Sequence, residues 1–305
     1  MIVPNNTTHQ VVFQDNSTTI TKKGAVIMKK NTSIISILAV LVVIASTTVF
    51  SGVPLNSLDG AGGIAFNPLA YTAGGKLEDN DWITKPQLGV WYVKLSDSNI
   101  SWSSYSISLT AANRVEFSYA FNLVNARDYG ENSIEANSLG VKIRLLDENA
   151  FDTAWIPSIA IGAVYRHTDS ATTGLFGLSH SGIEYYAVAT KLITQLPRPV
   201  LLSAGVQRSD EVVYGMVGHN HYGTSVFANV DILPADNVAV GVEYRQGIDA
   251  GDGIENADYW NGHVAWFVNA NLTVVGAYVN TGKTDKGFGE LGVGDGFVLS
   301  LQYQF

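Results

Sequence analysis

Apolar and polar residues alternate along many segments of about ten residues between residue 87 and the C-terminus. In segment 114–123 every odd position is apolar, and the even positions are Arg, Glu, Ser, Ala and Asn. Successive side chains of a β-strand point to opposite faces, so a period of two indicates strands with one apolar and one polar face. No amphipathic helix of useful length interrupts this pattern, and we expect an all-β chain.

The composition of the two faces separates a membrane barrel from a soluble sandwich. The polar face is mostly Gly, Ser and Ala, while the apolar face carries aromatic residues near strand ends, at Tyr119, Tyr165, Tyr244 and Trp266. Charged residues are only 15% of the chain, against about 25% in soluble proteins. Aromatic girdles around a small and charged interior are typical of membrane barrels, whose tilted strands need about ten residues. The sequence therefore predicts a transmembrane antiparallel β-barrel.

The alternation and the turn residues predict about twelve strands, within a range of ten to fourteen. Predicted connections alternate between short periplasmic turns and longer external loops, except for a long turn after the fourth strand and a short first loop. An even count places both ends of the barrel in the periplasm. The predicted strands are 87–95, 102–111, 114–124, 135–145, 157–167, 183–193, 199–208, 223–233, 237–246, 259–268, 271–281 and 296–305.

The last predicted strand ends the chain on phenylalanine and has one fully apolar face. This pattern is similar to the terminal signal that the outer-membrane barrel assembly machinery recognises, so that machinery is an expected partner during biogenesis. The alternative is an ordinary edge strand of a soluble sheet. The residues of the expected assembly signal are Phe297, Leu299, Leu301, Tyr303 and Phe305.

The N-terminal region resembles an export signal preceded by additional residues. Met28 is followed by two lysines, an apolar run and then Ser51. This order predicts a cleavable signal peptide at residues 28–51. The alternative is an uncleaved anchor helix. Residues 1–27 are then a mis-assigned or extended leader. The expected location is the outer membrane of a Gram-negative bacterium, reached through the periplasm, with lipid and lipopolysaccharide as surroundings.

Residues 52–86 lack strand alternation and are rich in glycine. The sequence leaves two alternatives open for this segment, a plug inside the barrel at 87–305 or a segment in the periplasm. The chain has no cysteine, which excludes thiolate chemistry, and its net charge of −9 argues against a nucleic-acid partner. No cofactor is indicated, and the oligomeric state is not determined by the sequence.

Several segments of the chain have a recognisable pattern, namely 113–120 (NRVEFSYA), 139–145 (LGVKIRL), 155–162, 185–192 (YYAVATKL), 239–245 (AVGVEYR) and 277–279, together with the glycine-rich segment 62–71. These segments resemble a family of uncharacterised proteobacterial outer-membrane proteins, known only as a domain of unknown function. The matching segments carry no catalytic motif, so the resemblance implies a barrel and no substrate.

The polar face of the predicted strands carries ionisable residues that would line the lumen. They indicate a narrow passive channel for small solutes, and their slight basic excess favours anionic ones. The alternatives are a sealed barrel that acts through its external loops and a less favoured hydrolase at the rim, built from His180, Ser181 and Glu184. The expected lumen residues are Glu116, Lys142, Arg144, Arg166, Lys191, Asp231, Glu243, Arg245 and His263.

Two predicted loops contain residues of types that bind metal ions. The spacing matches no known site, so solvated loop residues are the favoured interpretation and no metal is predicted. The weak candidates are His219, His221, Asp249, Asp252 and Glu255.

Overall fold

The computed structural model describes residues 55–74, 77, 81–251 and 253–305, so the expected leader and signal peptide at residues 1–51 lie outside the described residues. Twelve strands pair with their sequence neighbours, and β1 pairs with β12 to close an antiparallel barrel. The strands are β1 (Gln87–Leu95), β2 (Ile100–Ala111), β3 (Val115–Ala126), β4 (Glu131–Leu146), β5 (Ser158–Thr168), β6 (Ser181–Ile193), β7 (Val200–Val212), β8 (Gly218–Ala235), β9 (Val238–Arg245), β10 (Tyr259–Phe267), β11 (Leu272–Asn280) and β12 (Asp295–Gln304).

The predicted fold class and strand number are therefore confirmed. One short helix, α1 (Ala171–Leu175), lies between β5 and β6. Within the described part of the chain, no helix is both long and apolar enough to cross a membrane.

The predicted loops after the third and seventh strands are longer than the observed ones. β4 already begins at Glu131 and β8 at Gly218, because both strands extend beyond the segments of strict alternation. Register shifts between Val124 and Ala126 and between Ser209 and Glu211 mark the places where the pairing changes. Such bulges interrupt the period of two, so alternation alone ends these strands too early.

The outer face of the barrel is apolar along most of its height, as its alternating burial shows. Aromatic rings pack in a row near the end of the barrel that carries the longer loops, here called the loop end. The Tyr278 ring lies 6.4 Å from Trp260 and 5.6 Å from Phe297. Four residues of the expected assembly signal lie on this outer face of β12, with Phe297 68% exposed, and the fifth, Phe305, follows the strand and is also exposed.

Residues 55–74, here called the plug, lie inside the barrel. Nearly all of them are buried, and they form their own turns, such as the bond from the Ser57 amide to the Ala61 carbonyl. Gly60 turns the chain with φ of +80°, and a Cβ atom there would lie 2.9 Å from the Ser106 Cβ on the wall. Glycine is required at this point by both the dihedral angle and the space. The first residues of the expected segment, 52–54, and part of 75–80 lie outside the described residues.

Candidate functional site

Glu116 on β3 and Lys142 on β4 bind the plug on one side of the lumen. Their side chains form a buried ion pair of 3.0 Å. The Glu116 carboxylate also accepts hydrogen bonds from the plug amides of Gly62 and Ala73, and the Lys142 ammonium donates to the Gly62 carbonyl at 2.8 Å. Each charge thus has one partner on the wall and at least one in the plug.

Glu243 on β9 binds the plug on another side. Its carboxylate accepts hydrogen bonds from three consecutive plug amides, those of Ala65, Phe66 and Asn67, at 3.3, 2.9 and 2.5 Å. Asn261 on β10 donates a further hydrogen bond to it. Consecutive amides that point at one anion form a concave anion site, and here the anion is a wall side chain.

The largest ionic group in the lumen, here called the arginine cluster, consists of Asp59, Arg166, Glu184, Glu211, Tyr214 and Arg245. Arg166 binds Asp59 of the plug through two bonds of 3.1 and 2.6 Å. It also reaches Glu184 at 3.0 Å and Glu211 at 2.6 Å. All of these side chains are buried. Replacing one of the carboxylates would therefore leave a buried arginine with fewer ionic partners, which is energetically costly.

Arg245 completes the cluster and also holds the plug backbone. It pairs with the same two wall carboxylates, Glu184 and Glu211, and donates to the Phe66 carbonyl at 3.0 Å. The Tyr214 ring centroid lies 4.8 Å from the Arg166 guanidinium and 4.9 Å from that of Arg245. A cation over an aromatic face is stabilised by the ring quadrupole, so Tyr214 stabilises the positive charges from its ring face.

Two plug side chains have pKa values set by these contacts. Burial alone would raise the pKa of Asp59, but the Arg166 guanidinium outweighs burial and holds it below the usual range. Burial and the adjacent Glu148 carboxylate raise the pKa of Tyr71. The Tyr71 hydroxyl therefore stays protonated and donates to Glu148 at 2.6 Å.

Neutral hydrogen bonds attach the rest of the plug to the wall. The Asn56 amide donates to Gln302 on β12 at 2.8 Å, and the Ala70 amide donates to Thr190 on β6 at 2.8 Å. Contacts of the plug thus reach strands on opposite sides of the barrel. Polar atoms of the wall that would otherwise face water are bonded to the plug backbone.

The structure brings most of the expected lumen residues into the barrel interior, but not all of them. Arg144 and Lys191 instead lie at the end opposite the loops, where they pair with Asp147 at 3.0 Å and Glu148 at 3.1 Å in the connection after β4. The expected residues with buried side chains inside the barrel are Glu116, Lys142, Arg166, Asp231, Glu243, Arg245 and His263.

Sequence reasoning did not assign five buried carboxylates to the interior: Asp59, Glu131, Glu184, Asp210 and Glu211. Strand parity could have assigned Glu184, because it shares its face of β6 with Tyr186 and Thr190. Asp210 and Glu211 lie in the part of β7 that was expected to be loop. Among the described residues, the buried wall therefore carries more acidic than basic groups, namely Glu116, Glu131, Glu184, Asp210, Glu211, Asp231 and Glu243 against Lys142, Arg166 and Arg245.

The structure does not assemble the hydrolase candidate. Glu184 points into the lumen and binds the two arginines. Ser181 instead contacts the His167 ring at 2.8 Å and the Tyr165 hydroxyl at 2.9 Å on the outer side. His180 bonds to the Thr168 carbonyl.

The weak metal candidates are also dispersed. His219 is buried and contacts Asp210 at 3.2 Å, whereas Asp249 accepts a hydrogen bond from the Gly251 amide in its own loop. Among the residues that the structure describes, no three His, Asp or Glu side chains are placed to hold a metal ion. Asp252 lies outside the described residues.

Comparisons with known proteins identify a family for this chain and a set of similar solved structures. A family model described as "Protein of unknown function (DUF3034)" matches residues 51–300. The NanC porin structure aligns with a TM-score of 0.50 at 10% identity, over 72% of this chain and 100% of that chain. The KdgM porin gives 0.48 at 11% identity over 72% and 99%, and the COG4313 outer membrane channel from Pseudomonas putida F1 gives 0.42 at 11% over 75% and 98%. No curated protein matches significantly.

Proposed function

This chain belongs to the DUF3034 family of proteins of unknown function, and from that premise we propose that it is an outer-membrane channel held closed by its own plug. The observation that carries this proposal is the set of ionic contacts between plug and wall. The charged side chains of the wall bind groups of the plug in place of water molecules. These groups are Asp59, Gly62 and the amides of 65–67.

The chemistry of the wall favours a closed channel over a permanently filled barrel. Burying ion pairs costs desolvation energy, and well-packed apolar residues seal an interior equally well or better. Ionisable residues inside a membrane protein are typical of paths that water or solutes occupy. A wall with Arg166, Glu184 and Arg245 is therefore suited to a lumen that holds water once the plug moves.

The second candidate is a sealed barrel that acts through its external loops. It is favoured by the same cluster, since Arg166 alone contacts three carboxylates and the plug is bonded on opposite sides. The two candidates differ in one property, which is whether release of the plug opens a path for ions.

An engineered disulfide provides a reversible test, because the chain contains no cysteine. A Cβ atom built on Gly89 of β1 lies 3.7 Å from the Asn56 Cβ, close to the separation of about 3.8 Å in disulfides. The same position is 2.6 Å from the Ser106 hydroxyl oxygen. We therefore combine Asn56→Cys and Gly89→Cys with Ser106→Ala, and use Ser106→Ala alone as the matched control.

Single-channel conductance of refolded residues 52–305 in planar bilayers is the measurement. The wild-type chain is expected to open rarely, and Asp59→Asn more often, because Arg166 loses its ionic partner in the plug. The oxidised disulfide variant should show no steps until a reductant is added. Absence of steps in every variant, including Asp59→Asn, would favour the sealed barrel, and steps in the oxidised variant would exclude the plug as the gate.

The charge balance of the wall revises the expected ion preference. The anion preference expected from sequence depended on a basic excess, and the described wall is instead acidic. We therefore propose that the opened lumen favours small cations. The reversal potential of Asp59→Asn in a KCl gradient measures this preference.

The location and partners belong to the same proposal. The apolar outer face and its aromatic row support insertion in the outer membrane, among lipid and lipopolysaccharide. The β12 pattern supports delivery by the barrel assembly machinery, and residues 28–51 support export as a signal peptide. A protease-accessibility assay on intact and lysed cells tests this placement.

A further inference from the structure

A cavity of about 380 Å³ lies at the loop end of the barrel. Its floor consists of the inward-facing ends of β2, β3 and β4, at Ile100, Val124 and Ile134. The end of α1, the turn after β7 and the loop after β11 form its sides. The turn after β7 also contains Tyr214 of the arginine cluster, so the cavity lies next to the plug contacts without including them.

The lining of this cavity is almost entirely apolar. Glu131 is the one charged residue among its described lining residues, and none is Lys, Arg or His. The Glu131 carboxylate already accepts hydrogen bonds from the Ser170 hydroxyl at 2.7 Å and the Thr172 amide at 2.6 Å. The cavity therefore offers contact area to an apolar molecule and, among its described lining residues, no cationic partner for an anionic head group.

We propose that this cavity binds a small, uncharged, apolar molecule of two or three rings or an equivalent hydrocarbon chain. A dry cavity of about 150 Å³ lined by aliphatic residues is enough for benzene, and this cavity is more than twice as large. Apolar lining, rather than many polar groups, supplies most of the affinity in small-molecule sites. The inference goes beyond the proposed channel and does not depend on it.

The rim of the cavity is also apolar, and it is exposed to solvent. Leu175 is 80% exposed and Tyr129 is 50% exposed, although both line the cavity. Exposing apolar side chains to water is unfavourable, and contiguous exposed apolar patches usually mark binding sites. An exposed apolar rim that continues into an apolar cavity therefore indicates a binding site. On the inner side, Val213 and Val293 also line a smaller space beside the plug residues Leu58 and Phe66.

Binding of the neutral fluorophore N-phenyl-1-naphthylamine tests the proposal directly. The full barrel is reconstituted in phosphatidylcholine nanodiscs free of lipopolysaccharide, and empty nanodiscs measure partition into lipid. Ala126 lines the cavity, whereas Ala163 lies on the outer face of β5. Ala126→Phe fills the cavity and Ala163→Phe is its matched control.

The wild-type chain and Ala163→Phe are expected to bind the probe saturably. The affinity of Ala126→Phe for the probe should be at least about tenfold lower. Leu175→Ser, at a rim position that is 80% exposed, should weaken binding by a smaller factor. This variant keeps the proposal testable if Ala126→Phe does not fold. Equal signals from the wild type, Leu175→Ser and empty nanodiscs would overturn the proposal.

Competition identifies the ligand class. Biphenyl is expected to displace the probe from the wild-type chain and laurate to displace it poorly, because the charged group among the described lining residues is the Glu131 carboxylate. Stronger displacement by laurate would overturn the neutral class. Conductance of the same variants is measured separately, so failure of the channel proposal and failure of this one give different results.

Discussion

At the residue scale, the charges of the lumen are stabilised by partners from both the plug and the wall. Glu116 and Lys142 illustrate this arrangement, since their side chains are 1% and 0% exposed. Arg114 and Asp147 form a pair of similar length, 2.8 Å, but each is 48% exposed. The two pairs offer a matched comparison of buried and solvated ions in one protein.

Lys142→Met should destabilise the barrel strongly, because it leaves the buried Glu116 carboxylate without its cation. Removing one partner of a buried pair costs about 3–5 kcal/mol, whereas the exposed pair is worth at most about 1 kcal/mol. Equilibrium unfolding in urea with lipid vesicles measures both, with Arg114→Met as the control. Adding Glu116→Gln to Lys142→Met should recover part of the loss, and a further loss would contradict this explanation.

The residues that sequence reasoning assigned to the lumen are those on strictly alternating strands. Glu116, Lys142 and Glu243 follow from parity alone. Asp59 could not be assigned, because the plug has no period, and Glu211 could not, because the alternation ended the predicted strand at residue 208, before the observed end of β7 at Val212. Contacts between segments far apart in sequence leave no periodic signal in either segment.

At the element scale, the ends of strands differ from the sequence expectation where pairing continues beyond regular alternation. β1 matches its expected bounds, and β8 is five residues longer at its start than expected. The extension pairs Gly218 and His219 with Val212 and Glu211. Backbone pairing tolerates irregular side-chain patterns, so hydrophobic alternation underestimates the length of such strands.

The last strand allows a test that separates assembly from stability. Phe305 packs edge-on against Tyr303 at the end of the barrel, with ring centroids 5.0 Å apart. If the residue acts as an assembly signal, Phe305→Ser should lower the folded fraction in the outer membrane of expressing cells several-fold. Heat-modifiable electrophoretic mobility measures that fraction.

The refolded Phe305→Ser barrel should be nearly as stable as the wild type, within about 1 kcal/mol, as for most surface substitutions. Phe151→Ser is the control, because Phe151 is 82% exposed in the connection between β4 and β5. Equal losses of the folded fraction in both variants would show a general effect of removing an exposed aromatic residue, and no signal function.

At the scale of the whole molecule, closure of the sheet and closure of the lumen have different physical origins. Antiparallel neighbours and apolar outward faces determine the closed sheet, and these are local patterns that the sequence displays. The lumen is closed by one segment whose glycines and polar atoms fit the wall in three dimensions, as the Glu116 and Glu243 contacts show. The sequence therefore predicts the barrel and leaves the position of the plug open.

The apolar outer face predicts a specific energetic response to charge. Val264 lies near the middle of β10 and is 47% exposed, a position that a soluble sheet would leave in water. If this face contacts lipid, Val264→Arg should reduce the free energy of unfolding by about 2–4 kcal/mol, the cost of arginine near the bilayer midplane.

Leu196→Arg is the matched control for this prediction, because Leu196 is 47% exposed but lies in the connection between β6 and β7. Near the membrane interface the same substitution costs only about 0–1 kcal/mol. Unfolding titrations of both variants in lipid vesicles measure the difference. A lipid-facing valine in the middle of a strand cannot be replaced by arginine without the penalty of about 2–4 kcal/mol. Equal small costs for the two variants would therefore mean that the face of β10 contacts water, and the outer-membrane location would then be wrong.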